Sequence, residues 1–425
     1  MRKRFLLAVL ICAGAAAAAR AGEPPAATEQ MTFHQAVAQA VQRNPSVQQA
    51  AAEILRAQAL LQQARSATLP SLDGTVSNST LNTGVSFNGI TAQPQNQTTM
   101  TVSLSALLYA PVAWAEKTQA ADNAHVARLS DAEVKRQVAV ATAQAYLAVI
   151  ARRRIYDADV RARDTAKAHY ELARTQLEAG TGSRLNELRA QQAVSADEVL
   201  VQQAAQSVYA AQEALGVLVA ANHAVDTDGE PTLDTPASVP AAQAAMPGVR
   251  TDLLLATARV QAARRVYDDS WKDRLPSVSA LFTPEDIEPA SAFQKARSWR
   301  LTIVGSVPIF DGGLRSAEKA QRLALLDEQQ YQQQADVRQA QSDVRTAEAA
   351  VKSAEQALVS ARAAAEQARQ VVQIVDVSFR AGASTNIEVI DAQQASLDAD
   401  TAAAQAEDQL REAKLSLLVA LGLFP

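Results

Sequence analysis

The stretch VRQAQSDVRTAEAAVKSAEQALVSARAAAEQARQVVQIVDVSFRAGASTNIEVIDA, residues 337–392, decides the fold. Small apolar side chains recur at Val337, Ala340, Val344, Ala347, Val351, Ala354, Leu358, Ala361, Ala365, Ala368, Val372 and Val375, in steps that alternate three and four. That spacing is the seam of a heptad helix, kept thin by its alanines. No Gly or Pro occurs between Leu314 and Ala381, so the pattern predicts a single helix on the order of 100 Å long at about 1.5 Å per residue. Gly382 interrupts it. The same spacing then resumes at Val389, Ala392, Ser396, Ala399, Ala403, Ala406, Leu410, Ala413, Leu417 and Ala420. The stretch reads as a helical hairpin whose arms pack along their whole length.

Upstream of this hairpin the period changes to two. Trp299, Leu301, Ile303, Gly305, Val307 and Ile309 alternate as one face of a strand, and Pro276, Val278, Ala280 and Phe282 do the same, with a polar loop at 283–298 between them. A helix over Thr251–Lys272 comes first and stops at Leu275-Pro276-Ser277. The same order is found earlier in the chain. Helices over Met31–Asn44 and from Pro45 to about Thr68 end at Leu69-Pro70-Ser71. Strands follow at about 70–80 and 98–109, where Met100, Val102, Leu104, Ala106 and Leu108 alternate with hydroxyl residues, around a polar loop at 81–97. A second stretch without Gly or Pro runs from Val112 to Ala179, broken by Gly180-Thr181-Gly182, with Ser183 placed to cap a return helix to about Leu218. Leu-Pro-Ser recurs from 69 to 275, and Gly180 and Ala190-Gln191-Gln192-Ala193 recur at Gly382 and Ala392-Gln393-Gln394-Ala395. The protein is an internal duplication. Residues 22–221 form the first repeat, 222–250 a Pro-rich connector or equatorial segment, and 251–425 the second repeat.

Residues 1–21 read as a secretory signal peptide: a basic start, an apolar run from Phe5 to Ala19, and Ala19-Arg20-Ala21 before the cut. The run is short for a bilayer span. Cys12 is the only cysteine, and the bulky Ile11 before it argues against lipidation, so the mature chain carries no disulfide or thiol chemistry. Four of the 40 basic residues and none of the 45 acidic ones lie in the signal, which leaves the mature chain at −9 and argues against nucleic acid as a partner. No further apolar run is long enough to span a bilayer as a helix, so an exported chain of this kind is periplasmic, secreted, or held in an outer membrane by strands.

Two hairpins supply four strands, too few to close a barrel. In lipid, open strand edges leave backbone groups unpaired at several kcal/mol each, so the strands are expected to be pooled between chains; three chains give twelve. Tyr109, Trp114, Trp271, Trp299 and Phe310 sit near strand ends, where an interfacial aromatic girdle belongs; ordinary packing at helix–strand junctions is the competing reading.

The opening Phe33-His-Gln-Ala36-Val-Ala-Gln-Ala40-Val-Gln-Arg-Asn44-Pro45-Ser-Val47, the two Leu-Pro-Ser turns, Pro308-Ile-Phe-Asp-Gly-Gly313, and Arg380-Ala-Gly382 followed by Val389-Ile-Asp391-Ala392 resemble the TolC-like outer-membrane efflux protein family over essentially the whole mature chain. The resemblance implies a mainly α fold with membrane β: a trimer whose 12-strand β-barrel in the outer membrane is continuous with a 12-helix α-barrel in the periplasm. It also implies an outer-membrane exit duct of a tripartite efflux or type I secretion system. A periplasmic adaptor and an inner-membrane pump of RND or ABC type dock at the lower end, with the turns Gly180, Thr181, Gly182 and Gly382, Ala383, Ser384 as docking points. In such proteins acidic residues past the second turn constrict the entrance, which carries that role to Glu388 and Asp391. They stand i and i+3 on one helix and would stack as two acidic rings about a threefold axis. The plainer reading is two solvated acids at a helix start, favoured by the dipole. Arg189, the first-repeat equivalent of Asp391, is a possible gating partner.

Two other classes fit the pattern less well. A periplasmic adaptor also has a helical hairpin but not two helix–strand-hairpin–helix units, and a purely structural coiled coil has no use for the strand hairpins. His34, His125, His169 and His223 lack metal-ligand spacing, no nucleophile or phosphate-loop motif stands out, and Arg152-Arg153-Arg154 reads as a solvated helix face. No enzyme activity, metal or cofactor is expected.

Overall fold

The computed structural model describes residues 29–236 and 238–424; the expected signal peptide and Cys12 lie outside them. A short strand β1 (Glu29–Met31) precedes α1 (Phe33–Arg43) and α2 (Pro45–Ser66). The strands β2 (Ser71–Thr80), β3 (Val85–Phe87), β4 (Ile90–Gln93) and β5 (Asn96–Tyr109) lead into α3 (Pro111–Glu178) and α4 (Arg184–Leu218). The connector holds β6 (Val225–Thr227) and α5 (Val239–Val249). The second repeat comprises α6 (Thr251–Asp268), a 3-10 turn at Asp269–Arg274, β7 (Ser277–Glu288), β8 (Arg297–Ser306), α7 (Leu314–Arg380) and α8 (Asn386–Ala420).

Every seam position of α7 and α8 named above is buried or half-buried, so the heptad spacing does mark the packed faces. The long helices α3 and α7 run the length of a thin layer. Towards the turns the layer order is α4, α3, α8, α7; towards the strands it is α2, α3, α6, α7. The short helices abut end to end, and equivalent side chains join them in the two repeats. Asn44, which caps α2, donates from Nδ2 to the Leu218 carbonyl at 2.9 Å. Arg250, before α6, donates from Nη1 to the Ala420 carbonyl at 3.0 Å. Both bonds satisfy a carbonyl at the end of a helix, which has no intrahelical partner.

The main sheet has the order β2-β5-β7-β8, antiparallel throughout. Its register matches chemistry to chemistry. Leu72 lies opposite Leu104, Val76 opposite Met100, Leu104 opposite Phe282, Phe282 opposite Leu301, Pro284 opposite Trp299 and Ala280 opposite Ile303. The other face pairs Ser71 with Ser105, Asp73 with Ser103, Thr75 with Thr101 and Thr283 with Arg300. A one-residue slip would exchange the faces, so the alternation fixes the register. The apolar row remains largely exposed in the single chain, with Leu72 and Val76 each at 69% and Ile303 at 64%.

Four details depart from the sequence reading. The second strand hairpin has its loop at 289–296 and not at 283–298, since β7 runs on to Glu288. The segment 81–97 is not a bare loop but holds the β3–β4 hairpin. The connector is not wholly irregular, since β6 pairs in parallel with β1 and α5 follows. The return strand ends at Ser306, so Val307 and Ile309 lie beyond it; Pro308, with no N–H to donate, suits a strand end.

The belt where the short helices meet holds the main core. Phe33, Tyr146, Val149, Leu215, Val219, Leu415 and Phe424 cluster there. The Tyr146 hydroxyl lies 3.2, 3.1 and 3.0 Å from the carbonyls of Met31, Asp228 and Gly229, which ties β1 and the connector to α3.

Candidate functional site

The end of the molecule remote from the sheet is built by the two hairpin turns. Each helix ends on a glycine in the left-handed region, Gly180 at φ 75° and Gly382 at φ 77°, which side-chain-bearing residues disfavour. Thr181 N–H donates to the Gln176 carbonyl at 2.9 Å, and Ala383 N–H donates to the Ser378 carbonyl at 2.8 Å. The turns then diverge. A Cβ at Gly182 would meet Leu177 N at 2.9 Å, whereas Ser384 fills the equivalent place and donates its hydroxyl to the Val375 carbonyl at 3.1 Å. Ser183 and Thr385 cap the return helices.

Glu388 is engaged at its own helix start. Its Oε2 accepts from the Thr385 N–H at 2.7 Å while the Thr385 hydroxyl accepts from Glu388 N–H, a capping box. Asp391, one turn on, is exposed and has no ion pair or side-chain hydrogen bond among the described residues. Arg189 and Asp391 line one hollow of about 760 Å³, bounded by α3, α4, α7 and α8, yet no ion pair joins Arg189 to either acid. Arg161, Arg369, Asp197 and Asp400 line the same hollow. Burial raises the Asp197 carboxyl above its usual range, and the charge of Asp159 adds to this.

A contact just above the turns has no signal in the sequence. His169, 4% exposed, brings Nε2 to 2.7 Å from the Oδ1 of Asn386, also 4% exposed. Phe379 of α7 stands edge-on to the imidazole at 5.2 Å between centroids. Asn386 Nδ2 in turn reaches the Asn186 carbonyl of α4 at 3.5 Å, so this one contact touches all four helices. Its surroundings are alanine and valine: Ala166, Ala173, Ala190 and Val389 are all buried.

The arginine run on α3 is not a solvated face. Only Arg152 is exposed; Arg153 pairs with Asp226, and Arg154 with Glu230, with Glu407 at 2.6 Å and with Asp408 at 3.5 Å. Arg411 meets Glu230 at 2.7 Å and Asp408 at 2.9 Å, and Arg362 meets Glu407 at 2.6 Å. The network binds α3, α7, α8 and the connector. Burial pushes the Asp408 carboxyl up to about 6, against the pull of Arg154 and Arg411. Both arginines approach Oδ1, and Oδ2 is buried without a partner. Burial also works against Glu407, but Arg362, Arg154 and Arg411 outweigh it and hold that carboxyl low.

The five aromatic residues divide between the two ends of the sheet. Tyr109 and Trp114 stack edge-on at 5.7 Å near the helical end, where Trp271 and Phe310 are also exposed; Trp299 stands toward the far end, beside Phe282. Among the described residues no helix is long and apolar enough to cross a membrane, and no group of three or more His, Cys, Asp or Glu is placed to hold a metal.

The family model described as outer membrane efflux protein matches residues 36–221 and 248–423. No curated protein matches by sequence. Among solved structures, a membrane protein from Pseudomonas aeruginosa has a TM-score of 0.81 at 18% identity, over 93% of this chain and 91% of that one. The Campylobacter jejuni CmeC outer membrane channel has 0.78 at 16%, over 95% and 90%. The Vibrio cholerae outer membrane protein VceC has 0.78 at 18%, over 92% and 96%.

Proposed function

Since the chain belongs to the outer membrane efflux protein family, we propose that three copies assemble into one duct. The protein is an outer-membrane efflux channel of a tripartite system, not an enzyme, and extends into the periplasm towards an adaptor and a pump. The observation that carries the trimer is the open sheet. Among the described residues its apolar face is uncovered, and β2 and β8 each have one strand partner and one free edge. Placing β8 of one chain against β2 of the next continues the antiparallel alternation, and three chains give an even-numbered barrel with no edge left in lipid. The apolar row then meets lipid and the hydroxyl face lines the pore. Tyr109, Trp114, Trp271, Trp299 and Phe310 form the girdles at its two rims.

At the other end, Asp391 and Glu388 narrow the entrance as acidic rings. Asp391 is the freer of the two, because the capping box holds one oxygen of Glu388. Arg189 pairs with Asp391 when the entrance is shut. The turns Gly180, Thr181, Gly182 and Gly382, Ala383, Ser384 meet the adaptor, with a pump of RND or ABC type behind it. Residues 1–21 are removed as a signal peptide, and the mature chain is not lipidated.

Membrane fractionation with native mass measurement tests the assembly. A trimer in the outer membrane is expected; a soluble periplasmic monomer refutes the reading. In single-channel recording, Glu388→Ala with Asp391→Ala raises conductance and weakens cation preference. Unchanged selectivity removes both acids from the entrance.

A further inference from the structure

A second hollow, of about 680 Å³, opens at the belt. The start of α1, the loop 228–234 after β6 and the end of α8 with the segment that follows it build its sides. Thr32 and Gln35 close a capping box that fixes the start of α1, and Phe33 follows at once. Phe33 stands edge-on to Tyr146 at 5.4 Å and to Phe424 at 6.2 Å between centroids, so rings from α1, α3 and the segment after α8 meet at the base. Val37 extends this buried base, and Val41, Leu233 and Leu418 are half-buried walls. The loop is held in place on one side by the Tyr146 hydroxyl at the Asp228 and Gly229 carbonyls, and on the other by Glu230 paired with Arg154 and Arg411. The hollow is therefore preformed, and its volume is in the range that takes a small molecule.

Its charge has one sign. Among the described residues no Lys or Arg lines the hollow, and its charged side chains are Asp228, Glu230 and Asp234. Glu230 already has its arginines. Asp228 and Asp234 are exposed at the rim and make no ion pair or side-chain hydrogen bond among the described residues. An anion would be repelled there, and a purely polar guest would lose its hydration against the rings. A cation carried on an apolar body satisfies both halves of the hollow.

The fold does not require such a base. In the second repeat α5 takes the place of α1, as the shared placement of Asn44 and Arg250 shows. Ala36 and Ala40, fully buried on the inner face of α1, become Ala242 and Met246, so the inner face stays apolar. On the face towards the hollow, Phe33, Val37 and Val41 become Val239, Gln243 and Pro247. Packing alone is met without the aromatic ring and with a polar residue in the middle position.

We propose that the belt hollow is a binding site for small amphipathic cations, compounds that carry a positive charge on an aromatic or apolar body. The body lies on Phe33, Val37 and Phe424, and the charge rests at the rim beside Asp228 and Asp234. One chain supplies every lining residue, so the site is separate from the entrance acids and does not depend on the trimeric reading.

Tetraphenylphosphonium tests it, by isothermal titration calorimetry with the full-length protein in nanodiscs of zwitterionic lipid, empty discs serving as the blank. Saturable binding of one equivalent per chain is expected, weaker at high salt. Asp228→Asn with Asp234→Asn is expected to weaken it about tenfold. Val41→Trp, which fills the hollow from its wall, is expected to abolish it, and Glu388→Ala with Asp391→Ala to leave it at the wild-type value. Circular dichroism checks that each variant is folded; the asparagine pair alters only exposed side chains and keeps the test open if Val41→Trp does not fold. No saturable binding, the result expected if residues 22–28 or another copy of the chain cover the hollow, overturns the proposal. Unchanged binding in the asparagine pair overturns it as well. So does binding lost in Glu388→Ala with Asp391→Ala, which assigns the cation to the duct.

Discussion

Asp408 provides a quantitative test of the belt network. Its carboxyl is raised from 3.8 to about 6 by burial, even with Arg154 and Arg411 beside it. At about 1.4 kcal/mol per unit, ionising it in the fold costs about 3 kcal/mol relative to the unfolded chain, as an order of magnitude. The sign follows from the direction of the shift. The favourable term is fully present below pH 3.8, declines as the carboxyl ionises and is lost once the pH rises through about 6. Asp408→Asn supplies a neutral side chain of the same shape at every pH. It keeps an oxygen for Arg154 and Arg411 and places an amide donor where Oδ2 now has no partner. The variant is therefore expected to exceed the wild type in stability near pH 7.5, by up to about 3 kcal/mol, and to match it near pH 4. Thermal unfolding of the detergent-solubilised protein followed by circular dichroism at both pH values measures the difference. A variant less stable than wild type at pH 7.5, or a difference independent of pH, refutes the reasoning. Either result would mean that the arginines hold Asp408 ionised and that the ion pairs outweigh its burial.

The alanine seam makes a second prediction. Ala340 is fully buried, so Ala340→Leu inserts a side chain where α7 has no room and is expected to destabilise the protein by about 1–3 kcal/mol; unchanged thermal unfolding would show the seam to be loosely packed. Tyr146→Phe removes one buried hydroxyl that faces three carbonyls, with an expected loss of about 1–3 kcal/mol in the same assay. Arg189→Glu puts a third acid near Asp391 and is expected to raise cation preference and disturb closure in single-channel recording; unchanged conductance and export exclude Arg189 from gating.

The long hairpins were legible in the sequence because a heptad seam repeats without interruption and each position reports the same face. The duplication was legible because turns carry Gly and Pro at fixed offsets. The β3–β4 hairpin does carry a local signal: Asn88 and Gly89 both take positive φ, 51° and 78°, as an Asn-Gly turn between short strands requires. The polar ties had none. His169 and Asn386 are 217 residues apart, and Arg154 and Glu407 are 253 apart. A charged residue on a helix reads as solvated unless the neighbouring helix is known. The reading of Arg152-Arg153-Arg154 failed for that reason.

Alanine seams bring helix backbones close but remove little apolar surface per residue, so no single seam of this kind is strong. In a layer built that way, a few polar contacts decide which seams hold, because a buried bond broken without replacement is penalised far more than a lost methyl contact. The repeats agree where the architecture needs agreement: at the turn glycines, at the helix caps, and at Asn44 and Arg250, which join the stacked helices by different chemistry at the same place. They disagree at His169 against Val371, Asn386 against Arg184, and Arg154 against Gln356. The disagreements all fall on the faces between hairpins, where two duplicated halves need not be equivalent.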